Sequence, residues 1–331
     1  MKKLNTTKLI IAIIILAIII VGLIFILTPK EKHNLRVGYL QLGWAATEII
    51  HQEDLLNKKG WNASYTPIPG SPPPLINAYS AGQFDIINMA TVLTAKMYEQ
   101  GTPLKIVGVA TSGISAIVVP KDSKINSLED LRGKKIAAVV GGSSYQDVKT
   151  FLKIGYDIDI DKEATVIPAT SPPELVNLLK TGQVDVMVGW EPMASQLVVT
   201  GDYKYLVKHQ ELWEKVCNCK DTFIHVIYIA NPDFIKANPS IVSDMNNAQK
   251  EAYNIWYNDK DLAVKDIQQV TQLKKEEIQF AMNQTQGVLY GLTEQQKDTI
   301  IKYLKIMKDA SVLTSEIWDK PEEVKANLFI E

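Results

Sequence analysis

The chain has 331 residues, 35 Lys and Arg against 37 Asp and Glu, a formal net charge of −2, and a composition that is 46% hydrophobic and 22% charged. This is a globular make-up, long enough for two lobes with separate cores, and its near-neutral balance excludes a general attraction to nucleic acid. Two cysteines cannot frame a disulfide-rich fold; Cys217 and Cys219, one residue apart, read as two buried thiols badly spaced for bridging each other.

The first element is an uninterrupted apolar run from Leu9 to Leu27, preceded by Lys2, Lys3 and Lys8. As a helix it spans about 28 Å, close to the thickness of a hydrocarbon core, and the leading lysines favour an N-terminus inside. It lacks the shorter apolar core and small-residue exit of a cleaved signal peptide. The expectation is a short cytoplasmic tail (1–8), a transmembrane signal-anchor (9–28) and a soluble part outside the cell membrane.

From Leu35 onward, strand and helix alternate. Strands are expected at Leu35–Leu40, Ser64–Ile68, Asp85–Ala90 and Leu104–Ala110, with helices over Trp44–Lys59, Pro72–Ala81 and Thr91–Gln100. Ser115–Pro120 reads as a strand leaving this unit, and Ser127 as the cap of a short helix ending at Gly133. The series then recurs: strands at Lys135–Val140, Thr165–Pro168, Val184–Trp190 and Tyr203–Lys208, and helices at Ser143–Ile154, Pro172–Lys180 and Pro192–Val199. Such alternation implies a parallel sheet with helices on both faces. Phe223–Ala230 is a strong β run that returns the chain to the first unit. Helical periodicity follows over Pro232–Asn258, Leu262–Thr271, Lys275–Asn283 and Thr293–Ala310, where Trp256, Tyr257, Tyr290, Tyr303 and Trp318 read as packing residues.

The recurrence is visible in letters. Ser71–Ala90 and Ser171–Trp190 align without a gap, with eight identities in twenty positions, Ser-Pro-Pro at the start and Gly-Gln-x-Asp before the strand. The chain is therefore α/β with two doubly wound lobes: lobe 1 from 34–116 and 226–331, its C-terminal part a helical extension, and lobe 2 from 117–225, joined by a two-segment hinge.

In such sheets, ligands bind beyond the carboxyl ends of the strands. The loops there are Leu42–Ala45, Gly70–Pro73, Gly141–Tyr145 and Thr170–Pro173, none of which holds a Lys or Arg. Helix starts converging on a cleft would hold a small anion through N–H groups and dipoles. Ser71, Thr91, Ser143 and Ser144 are the candidate hydroxyls, with Tyr145 in the same loop; Trp44 and Trp190 are candidate walls. Glu191, beside Trp190, would repel a bare anion and suit a ligand that also carries an amine. Asp85 and Asp185 read as structural. The four histidines show no metal spacing, there is no nucleophile elbow, P-loop or dinucleotide fingerprint, and no His or Cys is expected in the cleft. The reading is of a binding protein without catalysis, cofactor or metal.

RVGYL, AGQFDIINM, KINSLEDLRGKKIAAVVGGSS and TGQVDVMVGWEP, together with NPDFIKANPSIV, resemble the nitrate/sulfonate/taurine-type substrate-binding proteins of ABC importers. The likeness spans Leu35–Ala310. It implies a type II periplasmic-binding-protein fold that closes by hinge motion, an ABC permease and ATPase as partners, a monomer, and pocket positions at Gly43, Ser71, Thr91, Gly142, Ser143, Ser144 and Trp190. Among the small anions and zwitterions that the resemblance implies, Trp44, Trp190 and Glu191 favour an organic sulfonate such as taurine, with nitrate or bicarbonate next. The alternatives are a thiamine-pyrimidine-type precursor, or an enzyme of cofactor-precursor synthesis on the same fold.

Overall fold

The computed structural model of the chain describes residues 33–41, 46–69, 72–271, 273–285 and 287–330. The expected tail (1–8) and signal-anchor (9–28), and the candidate site residues Gly43, Trp44 and Ser71, lie outside the described residues. Among those described, no helix is long and apolar enough to cross a membrane.

In chain order the first unit is β1 (His33–Leu40), α1 (Ala46–Gln52), β2 (Trp61–Ile68), α2 (Pro72–Ser80), β3 (Ile86–Ala90), α3 (Thr91–Glu99) and β4 (Lys105–Ser112). The second is β5 (Ser115–Pro120), β6 (Lys135–Ala138), α4 (Ser143–Tyr156), β7 (Thr165–Pro168), α5 (Pro172–Lys180), β8 (Val186–Trp190), α6 (Met193–Val198), β9 (Tyr203–Lys208) and α7 (His209–Cys217). There follow β10 (Ile224–Ala230), α8 (Pro232–Ala237), α9 (Ile241–Asn258), α10 (Lys260–Val270), α11 (Lys275–Met282), α12 (Glu294–Asp309) and α13 (Pro321–Leu328).

The strands form two five-stranded sheets, ordered β2-β1-β3-β10-β4 and β7-β6-β8-β5-β9. Each is mixed where a parallel sheet was expected. β10 runs antiparallel between β3 and β4, and β5 antiparallel between β8 and β9. These are the strands on which the chain enters a sheet from the other one, so neither follows a right-handed crossover helix of its own sheet. β10 is buried at all seven positions, as a strand covered on both faces must be.

The repeat has a physical purpose at its glycines and aspartates. Gly82 and Gly182 take φ of +72° and +69° where α2 and α5 end, a region that favours glycine. Asp85 and Asp185 then reach back to the neighbouring strand: Arg36 N–H donates to Asp85 Oδ2 at 2.8 Å and Lys135 N–H to Asp185 Oδ2 at 2.9 Å. The Arg36 guanidinium adds bonds of 3.0 Å (Nε) and 2.6 Å (Nη2) to Asp85; no side-chain bond joins Lys135 to Asp185.

Several local expectations are corrected. The helix drawn over Trp44–Lys59 stops at Gln52, because Asp54 turns left-handed with φ 54°. The long helix over Pro232–Asn258 is two, split at Asn238-Pro239, since proline forbids helical backbone before it. Ser127 does not cap the turn that follows; it donates instead to Asp130. The helix α7 was not foreseen. At its end Asn218 turns left-handed (φ 49°), which brings the Cα atoms of Cys217 and Cys219 to 5.2 Å, and the two are disulfide-bonded, not free thiols. Trp256, Tyr303 and Trp318 are core residues, whereas Tyr290 is 38% exposed.

Candidate functional site

A pocket lies between the two sheets. Its described walls come from the first sheet through Leu40, Asn88, Ala90, His225 and Val226, and from the second through Val188 and Trp190; the helix starts add Pro72, Ser143–Tyr145 and Pro172, and the loops add Ile114, Val139, Gly142 and Thr170. The cavity volume is ≈ 60 Å³. No Asp, Glu, Lys or Arg stands among these described lining residues. Trp190 packs against the hydrophobic clusters of both sheets and so forms a wall common to the two.

The donors come from α4. Its first intrahelical bond is Gln146 N–H to the Gly142 carbonyl, and no side chain caps its start. The N–H groups of Ser143, Ser144 and Tyr145 precede that bond, at the positive end of the helix dipole and in the pocket wall. Gly142 fits closely here: a Cβ would stand 3.1 Å from the Val139 carbonyl oxygen, so that a side chain would push this turn apart by a few tenths of an ångström. The other two helix starts differ. α2 begins with Pro72, Pro73 and Pro74, which have no N–H. α5 begins with Pro172 and Pro173, and Ser171 Oγ takes the N–H of Glu174. The expectation that all these starts would donate is corrected: proline suits the geometry of a first turn but removes its donors.

Gly142, Ser143, Ser144, Tyr145 and Trp190 are thus brought together around one space. Thr91 and Glu191 are not. The Thr91 hydroxyl is shared between the carbonyls of Ile224 and His225 at 3.0 and 3.2 Å, which ties α3 to β10. Glu191 is 1% exposed; Tyr205 donates to its Oε1 at 2.6 Å and Ser195 N–H to its Oε2 at 3.1 Å. Burial holds its pKa above the usual carboxylate range. With both oxygens engaged inside the second lobe, it gives no carboxylate to a ligand amine.

Two pocket residues went unforeseen. Asn88 is 1% exposed, accepts from Leu40 N–H at 3.0 Å and donates to Thr47 Oγ1 at 3.1 Å. His225 Nε2 lies 3.0 Å from Ser143 Oγ, which corrects the expectation of a cleft without histidine. Each is a polar side chain inside an otherwise apolar strand run, and that was the available signal. Behind His225 stands a buried cluster. His225 Nδ1 is 3.3 Å from His209 Nδ1 and 3.6 Å from Asp147 Oδ2, His209 Nε2 is 3.4 Å from the same oxygen, and Tyr303 donates to Asp147 Oδ1. Burial pushes Asp147 up to about 6 and holds His225 down to about 4 and His209 down to about 3. Ser143 and His225 have the spacing of a nucleophile and its base, yet an imidazole that weak takes few protons at neutral pH.

The family described as NMT1/THI5-like matches the chain over residues 67–263. No curated protein matches it. Among solved structures, the periplasmic aliphatic sulphonate-binding protein of Escherichia coli superposes with a TM-score of 0.75 at 17% identity, covering 91% of this chain and 94% of its own. The alkanesulfonate-binding protein of Xanthomonas axonopodis pv. citri, solved bound to MOPS, gives 0.71 at 19% identity over 86% and 96%. A Candida albicans protein with the generic periplasmic-binding-protein fold gives 0.65 at 13% identity over 89% and 95%. The fold is therefore that of the periplasmic binding proteins, in line with the resemblance read from the motifs.

Proposed function

The chain belongs to the NMT1/THI5-like family, and from that premise we propose that it is the extracytoplasmic solute-binding component of an ABC importer. It holds a small anionic or zwitterionic ligand, an organic sulfonate such as taurine, between its lobes. The observation that carries this reading is the start of α4, where three residues with uncapped N–H groups line a pocket with no charged side chain among its described residues. Hydrogen bonds from such donors to an anion contribute about 1.5–3 kcal/mol each. The likeness to two sulfonate-binding proteins supports the same ligand class.

The lobes, expected over 34–116 with 226–331 and over 117–225, part within two residues of the points where the chain passes between the sheets, at Gly113–Ile114 and just before β10, and they close about these two crossings as a hinge. The segment 9–28 anchors the protein, a monomer, outside the cell membrane beside its permease and ATPase. No chemistry is performed on the ligand. A second reading, a neutral pyrimidine-type precursor, is favoured by the apolar walls and by the rings of Tyr145 and Trp190 in the lining.

Thermal unfolding of the full-length chain in detergent, with a ligand panel, tests the proposal. Taurine at a hundred times its Kd is expected to stabilise by about 2.7 kcal/mol, with nitrate inert. Stabilisation by nitrate alone, or by an aminopyrimidine alone, would refute the sulfonate assignment.

A further inference from the structure

Two of the pocket hydroxyls, those of Ser143 and Thr170, have a fixed hydrogen-bond polarity, and for Ser143 it follows from one backbone amide. Ser115 is 2% exposed, and its N–H donates to His209 Nδ1 at 3.3 Å. A backbone N–H has no other role to play, so His209 Nδ1 carries its lone pair and the ring proton sits on Nε2, which makes no hydrogen bond although Asp147 Oδ2 lies 3.4 Å away. His225 Nδ1 then has two neighbours, His209 Nδ1 at 3.3 Å and Asp147 Oδ2 at 3.6 Å, and both are acceptors. His225 must hold its proton on Nδ1. Since burial keeps this imidazole neutral, its Nε2 is a bare lone pair. Ser143 Oγ, 3.0 Å away, donates its only proton there.

Thr170 is committed in the same sense at the pocket mouth. Its hydroxyl donates to Glu174 Oε2 at 2.6 Å, alongside its own N–H at 2.8 Å. The phenol of Tyr145 donates away from the pocket, to Asp161. We infer that Ser143 and Thr170 meet the bound ligand only as acceptors, so that the ligand carries an N–H donor on the edge turned to these hydroxyls, beside the acceptor group that takes the N–H groups of α4. Ser143 and His225 act as a specificity pair: the histidine sets the direction of the serine proton, and the serine then selects amines over ligands lacking a donor. A site that demands a hydrogen bond rejects the analogue lacking it far more strongly than an apolar wall rejects a methyl group. The inference rests on the proposed ligand site, and sharpens the sulfonate reading to an amino-sulfonate.

Two measurements on the full-length chain decide it. The first needs no ligand. In protein labelled with 15N-histidine, with the His225 resonances assigned by His225→Gln, the ring nitrogens of His225 are expected to show a protonated Nδ1 and a bare Nε2; a proton on Nε2 overturns the inference. The second is calorimetric titration of taurine against ethanesulfonate, which lacks the amine. Taurine is expected to bind at least tenfold more tightly, with the ratio falling toward one in Ser143→Ala; equal affinities in the unmodified protein overturn the donor requirement. If neither sulfonate binds, the sulfonate reading falls, and an aminopyrimidine with its N,N-dimethyl counterpart takes their place. A tenfold loss on dimethylation supports the inference and no loss overturns it. If no ligand of either pair binds, the pocket is not the site and both readings fail together.

Discussion

α4 and α5 start against the same pocket, in the same lobe, and do opposite things there. α5 opens with Ser171-Pro172-Pro173, uses its serine to cap Glu174 and leaves no N–H of its own first three residues to give. α4 opens with Gly142-Ser143-Ser144, has no cap, and leaves three N–H groups in the wall. The proline-led start is the one that recurs in the sequence, as α2 shows. The repeated letters therefore mark scaffold, and the unrepeated glycine-serine turn marks the surface that can meet a ligand. The equivalent turn of the first sheet, 42–45, lies outside the described residues.

The contrast can be broken by giving α4 the start of α5. Ser143→Pro fits the backbone, since Gly142 before it is already extended (ψ 156°). It removes one N–H together with the hydroxyl, whereas Ser143→Ala removes the hydroxyl alone. Titration is expected to show about 100-fold weaker taurine binding for the proline variant and about tenfold for the alanine, the difference being one charge-assisted bond of about 1.5 kcal/mol. Equal losses would mean that the helix start does not bind the ligand.

A second contrast lies within the repeat. Asp85 is 6% exposed and takes three bonds from Arg36, whereas Asp185 is exposed and takes one from Lys135 N–H. Asp85→Asn is expected to cost about 2 kcal/mol in urea unfolding and Asp185→Asn about 0.5 kcal/mol. Similar costs would show that the guanidinium contributes nothing beyond the shared backbone bond.

The smallest contrast separates the uncharged start of α4 from Asp147, one turn further along. Around pH 5 the unfolded chain binds about two protons at His209 and His225 and none at Asp147, while the folded chain binds about one, at Asp147, because that carboxyl is raised to about 6 and the histidines lowered to about 4 and about 3. The unfolded state binds more, so stability rises with pH between about 4 and 6, by about 1.4 kcal/mol per pH unit for the net proton. In Asp147→Asn the opposing carboxyl is gone and the slope is expected to double, as read from urea midpoints at pH 5 and pH 6. An unchanged slope would show that Asp147 is ionised in the folded protein at pH 5.

Much of the scaffold could be read from the letters. The strands at Thr165–Pro168 and Tyr203–Lys208 and the helix Pro172–Lys180 have the expected bounds, because apolar periodicity, Ser-Pro-Pro caps and left-handed glycines act over a few neighbouring residues. The break before Pro239 was also legible and is a rule of the same short range.

Two similar α/β units, the crossing of the chain between them and the loops that end their strands were all legible in the letters, since each follows from local spacing and from a repeat. Which polar groups are left for a ligand was settled by long-range contacts alone. Thr91 and Glu191 qualified by type and place, but the Ile224 carbonyl and the Tyr205 hydroxyl had already engaged them; His225 became a pocket residue because Ser143 stands against it across 82 positions of chain. A hydroxyl or carboxylate offers few bonds, and whether one remains for a ligand depends on partners that folding brings from far along the sequence.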